Sequence, residues 1–271
     1  MTAVEAFGLT DVGSVRPRNE DHFVIASMRK SVTIRYSSLS ADEMHRWLGG
    51  GAEAYLFAVA DGVGGRPGGE LASGAVVTRL LGYVGRAAGC YHQFNVDEEH
   101  QFLERLEQSI RDTHEEILRS HGAADKAPAT TLTLAMLVGR RAYLVHVGDT
   151  RAYYLRGSRL RQITQDQTIG EYMMDLGAWT EAQAAKASAG NALSSAIGGS
   201  EMSPSVGLID LEPGDALLLC SDGLTKHVDD QQIAAVLGKP VSAEAAAQEL
   251  VAMALAGGGT DNVTAIVARI A

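Results

Sequence analysis

The chain has 271 residues, 46% of them hydrophobic and 21% charged, a globular composition with length enough for one large domain or two small ones. Its net charge of −10 argues against nucleic-acid and anionic-membrane surfaces, which need a basic footprint. No apolar run approaches the roughly 18–20 residues that span a bilayer, and two cysteines, Cys90 and Cys220, are too few for a disulfide framework.

The first residues carry no basic stretch followed by an apolar one, so no secretion signal is expected. The expectation is a reduced, cytoplasmic protein acting as a monomer. Residues 4–10 and 22–28 read as short strands around the loop from Asp11 to Asp21. Residues 29–53 are less regular and read as an excursion. The continuous apolar run from Tyr55 to Ala60 reads as a buried strand that ends abruptly in Asp61 and a string of glycines. A helix is expected over 70–85, with Leu71, Ala75, Thr78 and Leu81 on one face. A second is expected over 98–120, where Phe102, Leu103, Leu106, Ile110, Ile117 and Leu118 keep near-3.6 spacing.

Residues 130–138 and 141–147 read as strands paired around Gly139-Arg140, and 151–155 with 159–163 as a further hairpin. The segment 166–200 is alanine- and glycine-rich with short helical pieces, and reads as a mobile flap rather than core. Strand character returns at 205–211 and 215–220, helices follow at 230–237 and 242–256, and an apolar strand covers 263–270. There is no repeat and no linker, so one domain over 1–271 is the simplest account. Strands gathered in hairpins favour α+β over a parallel α/β sheet.

Asp61 is one of five aspartates at predicted strand ends within two residues of glycine or asparagine; the others are Asp21, Asp149, Asp222 and Asp261. Singly, each reads as a turn or cap. Together they suggest convergence, because strand ends on one side of a sheet meet. An all-oxygen site of that kind selects Mg²⁺ or Mn²⁺ over zinc. Two such ions about 3.5–4 Å apart clamp a phosphoryl group and activate water.

The ordered motifs carry a resemblance. They are Val15-Arg16-Pro17-Arg18-Asn19-Glu20-Asp21, Val59-Ala60-Asp61-Gly62-Val63-Gly64-Gly65, Gly68-Gly69-Glu70-Leu71-Ala72-Ser73 and Thr130-Thr131. Val147-Gly148-Asp149-Thr150-Arg151, Leu219-Cys220-Ser221-Asp222-Gly223-Leu224 and Asp261-Asn262-Val263-Thr264 complete the set. In order and spacing the chain resembles the metal-dependent protein Ser/Thr phosphatases (type 2C, PPM) in their compact bacterial form. The resemblance implies a four-layer αββα sandwich, two antiparallel sheets flanked by helices, with 166–200 as the variable flap. It implies hydrolysis of phosphoserine and phosphothreonine in proteins by a metal-bridging hydroxide, with no covalent phosphoenzyme. Asp61 would bridge two Mn²⁺ or Mg²⁺ ions, with the Gly62 carbonyl as a further ligand. Asp222 and Asp261 would hold the first ion, Asp21 would position waters on the second, and Asp149 with Asp222 would form a weaker third site. Arg16 would bind the substrate phosphate, while Glu20 and Asn262 would support the ligands from behind. The implied partners are phosphorylated proteins and an opposing Ser/Thr protein kinase.

The chain departs from that pattern at Arg66, where many bacterial relatives carry a histidine able to protonate the leaving group, and at Ala129 and Asp166-Gln167. Cys220 lacks an arginine six positions on, which a cysteine-based phosphatase needs, and reads as a buried small hydrophobe. The 62–69 glycines end without the Gly-Lys-Ser/Thr of a nucleotide loop. His146 reads as a satisfied core residue, His22 as packing beside the site, and Arg151 as a structural ion-pair partner. The alternative function is a pseudophosphatase that binds phosphoprotein without turnover. Its signature would be loss of metal carboxylates, and all of them are present.

Overall fold

The computed structural model describes residues 4–29, 53–63, 68–87, 96–121 and 127–271. Most of the 29–53 excursion, Arg66 and Cys90 lie outside these. In chain order the elements are β1 (Val4–Asp11), β2 (Asp21–Arg29), β3 (Glu53–Asp61), α1 (Gly69–Ala87), α2 (Val96–His121), β4 (Leu132–Val138) and β5 (Arg141–Val147). Then come β6 (Arg151–Arg156), β7 (Arg159–Gln162), α3 (Ile169–Asp175), α4 (Glu181–Ala184), β8 (Ser205–Asp210) and β9 (Ala216–Cys220). Last are α5 (Asp222–Thr225), α6 (Asp230–Leu237), α7 (Ala243–Ala256) and β10 (Val263–Ile270).

The strands form two five-stranded sheets, ordered β1-β10-β9-β6-β7 and β2-β3-β4-β5-β8, with antiparallel pairing throughout. Strands covered on both faces lose the alternation of a half-wet strand and read as continuous apolar runs. Residues 56–60 of β3 are accordingly all buried. Three apolar clusters define four layers. Phe57, Val59, Leu137 and Leu144 of one sheet pack against Leu217, Leu219, Ile266 and Ile270 of the other. Outside the second sheet, Leu56, Leu134 and Met136 meet Val76, Leu80, Leu106 and Ile110 of α1 and α2. Outside the first, Leu218, Ala265 and Val267 meet Ile233, Val236, Ala247 and Leu250 of α6 and α7. The αββα sandwich expected from the resemblance is the observed fold. Among the described residues no helix is long and apolar enough to cross a membrane.

Local chemistry sets the helix starts. The Ser242 side chain accepts the Ala245 N–H ahead of α7, and Asp229 forms a reciprocal capping box with Gln232 ahead of α6. Alanines at 243, 246, 247 and 254 put the small side of α7 against the sheet.

Two expectations are corrected. Helix α1 buries Ala72, Ser73, Val76, Val77 and Leu80, whereas Leu71, Thr78 and Leu81 are exposed. Apolar residues run nearly round this helix, so its period admits two faces, and the sheet selects the one one residue further on. Leu71→Ser should therefore change unfolding free energy by no more than about 0.5 kcal/mol in a denaturant titration. The expected flap is not peripheral throughout. Ile197 is fully buried within the α1–α2 side of the core, and its backbone exchanges both hydrogen bonds with Thr130. Ile197 belongs to the body of the fold, because its apolar side chain and two backbone bonds fix it there.

Candidate active site

The sheets bring their aspartates together by register. Asp21 and Asp61 are direct cross-strand partners at the matching ends of β2 and β3. In the other sheet Cys220 pairs with Ala265, which sets Asp222, at the start of α5, beside the turn that carries Asp261 into β10. The cleft opens where these ends meet. Its volume is about 600 Å³, and Arg16, Glu20, Asp61, Gly62, Asp149, Asp222, Asp261 and Asn262 all line it. Asp21 lies behind them, 4% exposed.

Hydroxyl groups fix Asp21. Its Oδ2 accepts from Thr264 Oγ1 at 2.6 Å and from Ser221 Oγ at 2.8 Å, which ties β2 of one sheet to β9 and β10 of the other. Asn19 donates to Thr10, whose hydroxyl meets that of Thr264 at 2.7 Å, so the Asp21 contact is itself oriented. Burial pushes the Asp21 carboxyl up to about 6; the Thr264 and Ser221 donors oppose the rise and the Asp222 charge adds to it.

The Asp61 backbone is clamped by the two threonines. Thr131 Oγ1 accepts the Asp61 N–H, while the Thr131 N–H and Thr130 Oγ1 donate to the Asp61 carbonyl. Desolvation first, then the charges of Asp21, Asp222, Asp149 and Asp261, hold its carboxyl well above the ordinary carboxylate range. The next residue must be glycine, since a Cβ on Gly62 would stand 2.5 Å from the Gly69 backbone. Its N–H donates to the Glu20 carbonyl, which also accepts from Ser73 Oγ. His22 Nδ1 in turn lies 2.9 Å from Ser73 Oγ, packing beside the site as expected.

Asp149 follows Gly148, where φ is +103° and a Cβ would lie 2.6 Å from Thr131 Cγ2, so no side chain is admitted. Burial, with help from the Asp222 and Asp166 charges, pushes the Asp149 carboxyl up to about 7. Asp222 is raised too, by burial opposed by Lys226. Asp261 behaves differently. Burial pushes it up, but bonds from Arg16 and Lys226 outweigh that and leave it below the usual range. Arg16 Nε reaches Asp261 Oδ1 at 2.7 Å and Nη2 reaches Oδ2 at 2.8 Å. The structure thus sets the expected phosphate-binding guanidinium against a carboxylate at the cleft mouth.

Asn262 does more than back up a ligand. Its Oδ1 accepts the Glu20 N–H, and its Nδ2 donates to the carbonyls of Val12 and Arg18, stapling both flanks of the Arg16 loop to β10. Cys220, fully buried with its thiol pushed up to about 12 by burial, is inert as a nucleophile. His146 is buried between Thr133 and the Gln165 carbonyl, and Arg151 makes a bidentate pair with Asp166, as the sequence suggested for both.

Among the described residues, no three carboxylates, histidines or cysteines already surround one point. The set nonetheless fits hard cations. Asp21 Oδ1 and Asp222 Oδ1 are buried without a hydrogen-bond partner, a costly state for carboxylate oxygens. Neighbouring carboxylates crowd Asp61, and every donor is oxygen. Lys226, Ser221, Thr264, Ser73 and the flap residues Asn191 to Ser195 were not picked out as site residues from the sequence, yet all touch this site or its supports. For Lys226 the missing signal was α5, since only a helix starting at Asp222 puts residue 226 over that carboxylate.

The chain is 35% identical over 221 residues to the serine/threonine protein phosphatase PstP of Mycobacterium tuberculosis, a match covering 81% of this chain and 41% of that protein's own length. Its fold superposes on the serine/threonine phosphatase of S. agalactiae with a TM-score of 0.80 at 26% identity, covering 99% of this chain and 100% of that one. The catalytic domain of PstP, solved in complex with two manganese ions, gives a TM-score of 0.73 at 30% identity over 100% of this chain and 99% of the other. A family model described as protein phosphatase 2C matches residues 33–256. With these sheets and this cleft, the chain belongs to the protein phosphatase 2C family.

Proposed function

We propose that the chain is a metal-dependent phosphatase that hydrolyses phosphoserine and phosphothreonine in proteins, acting as one catalytic domain. The observation that carries this reading is the convergence, in and just behind one cleft, of carboxylates from both sheets, with unpartnered buried oxygens on Asp21 and Asp222. That a relative's catalytic domain binds two manganese ions supports it.

Asp61 would help hold two Mn²⁺ or Mg²⁺ ions, with the Gly62 carbonyl as a further ligand. Asp222 and Asp261 would complete the first, Asp21 would orient water around the second, and Glu20 would support them. Asp149 and Asp222, which both line the cleft, are the pair that would form a weaker third site. Bound there, divalent ions supply an acidified water as nucleophile and neutralise charge on the phosphoryl oxygens. The chain's own residues do the rest. Arg16, exposed at the cleft mouth, holds Asp261 through Nε and Nη2, so phosphoryl oxygens would meet its remaining N–H donors. Asn262 holds the Arg16 loop at fixed height, and the Thr130-Thr131 clamp keeps Asp61 from yielding as substrate binds. That relatives are named serine/threonine protein phosphatases supports phosphoproteins as the substrates, and the biological opposite would be a Ser/Thr protein kinase.

Phosphate release from a phosphothreonine peptide should appear with Mn²⁺ and vanish with excess chelator. Asp222→Asn should be inactive in the same assay. Release that survives chelation would overturn the metal mechanism, and a manganese-loaded wild type inactive on phosphopeptides would overturn the hydrolase reading in favour of a phosphoprotein-binding module.

A further inference from the structure

Lys226 stands among the carboxylates. It closes the short helix α5, four residues after Asp222, and its ammonium lies 2.6 Å from Asp222 Oδ2 and 2.8 Å from Asp261 Oδ2. Its backbone has little freedom to move away. Leu224 and Val228 on either side are buried in the core, and Gly223 packs against the Asn262 carbonyl so closely that a Cβ there would lie 2.0 Å from it. The two oxygens of Asp222 therefore differ: Oδ2 is held by the lysine, while Oδ1 is buried and unpartnered.

Lys226 also stands on a boundary. A second cavity of about 390 Å³ adjoins the catalytic cleft, and Asp149, Asn191, Asp222 and Lys226 line both. The second cavity is acidic, with Asp166, Glu171 and Glu181 in its wall. Its arginine, Arg151, is spent on Asp166 and Tyr153. The lysine charge acts on Asp149 as well as on the two aspartates it touches. A compact ammonium with three donors is a suitable monovalent stand-in where carboxylates face one another.

We propose that Lys226 is a built-in counter-cation that takes the place of a third divalent ion on the Asp149 side of Asp222, so that this protein works with two metal ions and a fixed ammonium. The proposal rests on the metal-dependent reading above. Its chemistry is direct: the ammonium neutralises Asp222 Oδ2 and Asp261 Oδ2, leaves Asp222 Oδ1 for the first ion, and repels a further divalent ion from Asp149.

Titration of the chelator-stripped, full-length protein with Mn²⁺, following free Mn²⁺ by its EPR signal, tests this without recourse to activity. Wild type should saturate at two ions per chain. Lys226→Gln should take up a third, its affinity raised roughly tenfold or more by removal of a unit charge a few ångströms away. Lys226→Arg, which keeps the charge, should bind two, and adding Asp149→Asn to Lys226→Gln should abolish the gain. A wild type that already binds three ions, or a Lys226→Gln protein that gains none, overturns the proposal and leaves the phosphatase reading standing. A wild type that binds no manganese and releases no phosphate from a phosphopeptide takes down both.

Discussion

Asp61→Asn is expected to raise the melting temperature of the chelated protein while abolishing manganese binding and lowering kcat/KM by about a thousandfold or more. The two halves of this result have one cause. Asp61 is desolvated and faces the charges of Asp21, Asp222, Asp149 and Asp261, so the folded state strongly resists its ionisation. Asn keeps the shape and removes the charge. The same physics sets a pH dependence. Carboxyls whose folded values lie above their unfolded ones bind extra protons in the native state, so stability falls as pH rises between the two. With an ordinary value of 3.8, Asp21 raised to about 6 and Asp149 to about 7, the window runs from about pH 4 to about 7. Chelated wild type should therefore melt higher at pH 5 than at pH 8, and Asp61→Asn should flatten that slope. Saturating manganese should reverse the ranking, since an ion at a hundred times its Kd stabilises wild type by about 2.7 kcal/mol and finds no bridge in the variant. Calorimetry in chelator and in Mn²⁺ measures both. A variant that melts below wild type in chelator would mean that the carboxylate crowding carries no penalty.

Much of this site was legible in the sequence because of how a strand ends. A continuous apolar run that stops at an aspartate declares both a buried strand and the carboxylate at its tip, and Asp21, Asp61, Asp149 and Asp261 stand where such runs stop or start. Order and spacing then fixed the family, and with it the two-sheet sandwich. What was not legible falls into two physical kinds. Helix α1 is apolar almost all round, so periodicity could not say that Val76 and Leu80 face the sheet and Leu71 faces water. Helix α5 is one turn long, too short for any period, and Ser221-Asp222-Gly223 reads equally as a turn; with it went the placement of Lys226 over Asp222. The supporting hydroxyls of Thr264, Ser221 and Ser73 are common residues whose meaning comes only from the packing of the two sheets and α1 that puts them beside Asp21 and Glu20. The burial of Ile197 within an alanine- and glycine-rich stretch is of the same kind: its partner, Thr130, is distant in sequence.

Asn262→Ala should be the most damaging change among the residues that would touch neither metal nor phosphate. The side chain, 5% exposed, satisfies three backbone groups at once: the Glu20 N–H and the Val12 and Arg18 carbonyls. Alanine satisfies none of them. A buried group left without its partner costs about 1–3 kcal/mol; Val12 and Arg18 are exposed enough for water to recover part of their loss, so the sum should be about 2–4 kcal/mol in a denaturant titration. Asp is no remedy, because it keeps the acceptor for Glu20 but turns both donors into oxygens that repel the two carbonyls. The loss should also reach catalysis by a route distinct from that of the carboxylates. Asn262 ties the Arg16 loop to β10 from both sides of Arg16, so releasing it lets the guanidinium drift relative to Asp261 while leaving the carboxylates where they are. Manganese affinity should then change little, and KM for a phosphopeptide should rise with a smaller fall in kcat, the pattern of lost substrate positioning rather than lost nucleophile. Manganese binding that weakens as much as KM rises would instead make Asn262 a prop for the metal carboxylates, with the tie to the Arg16 loop incidental.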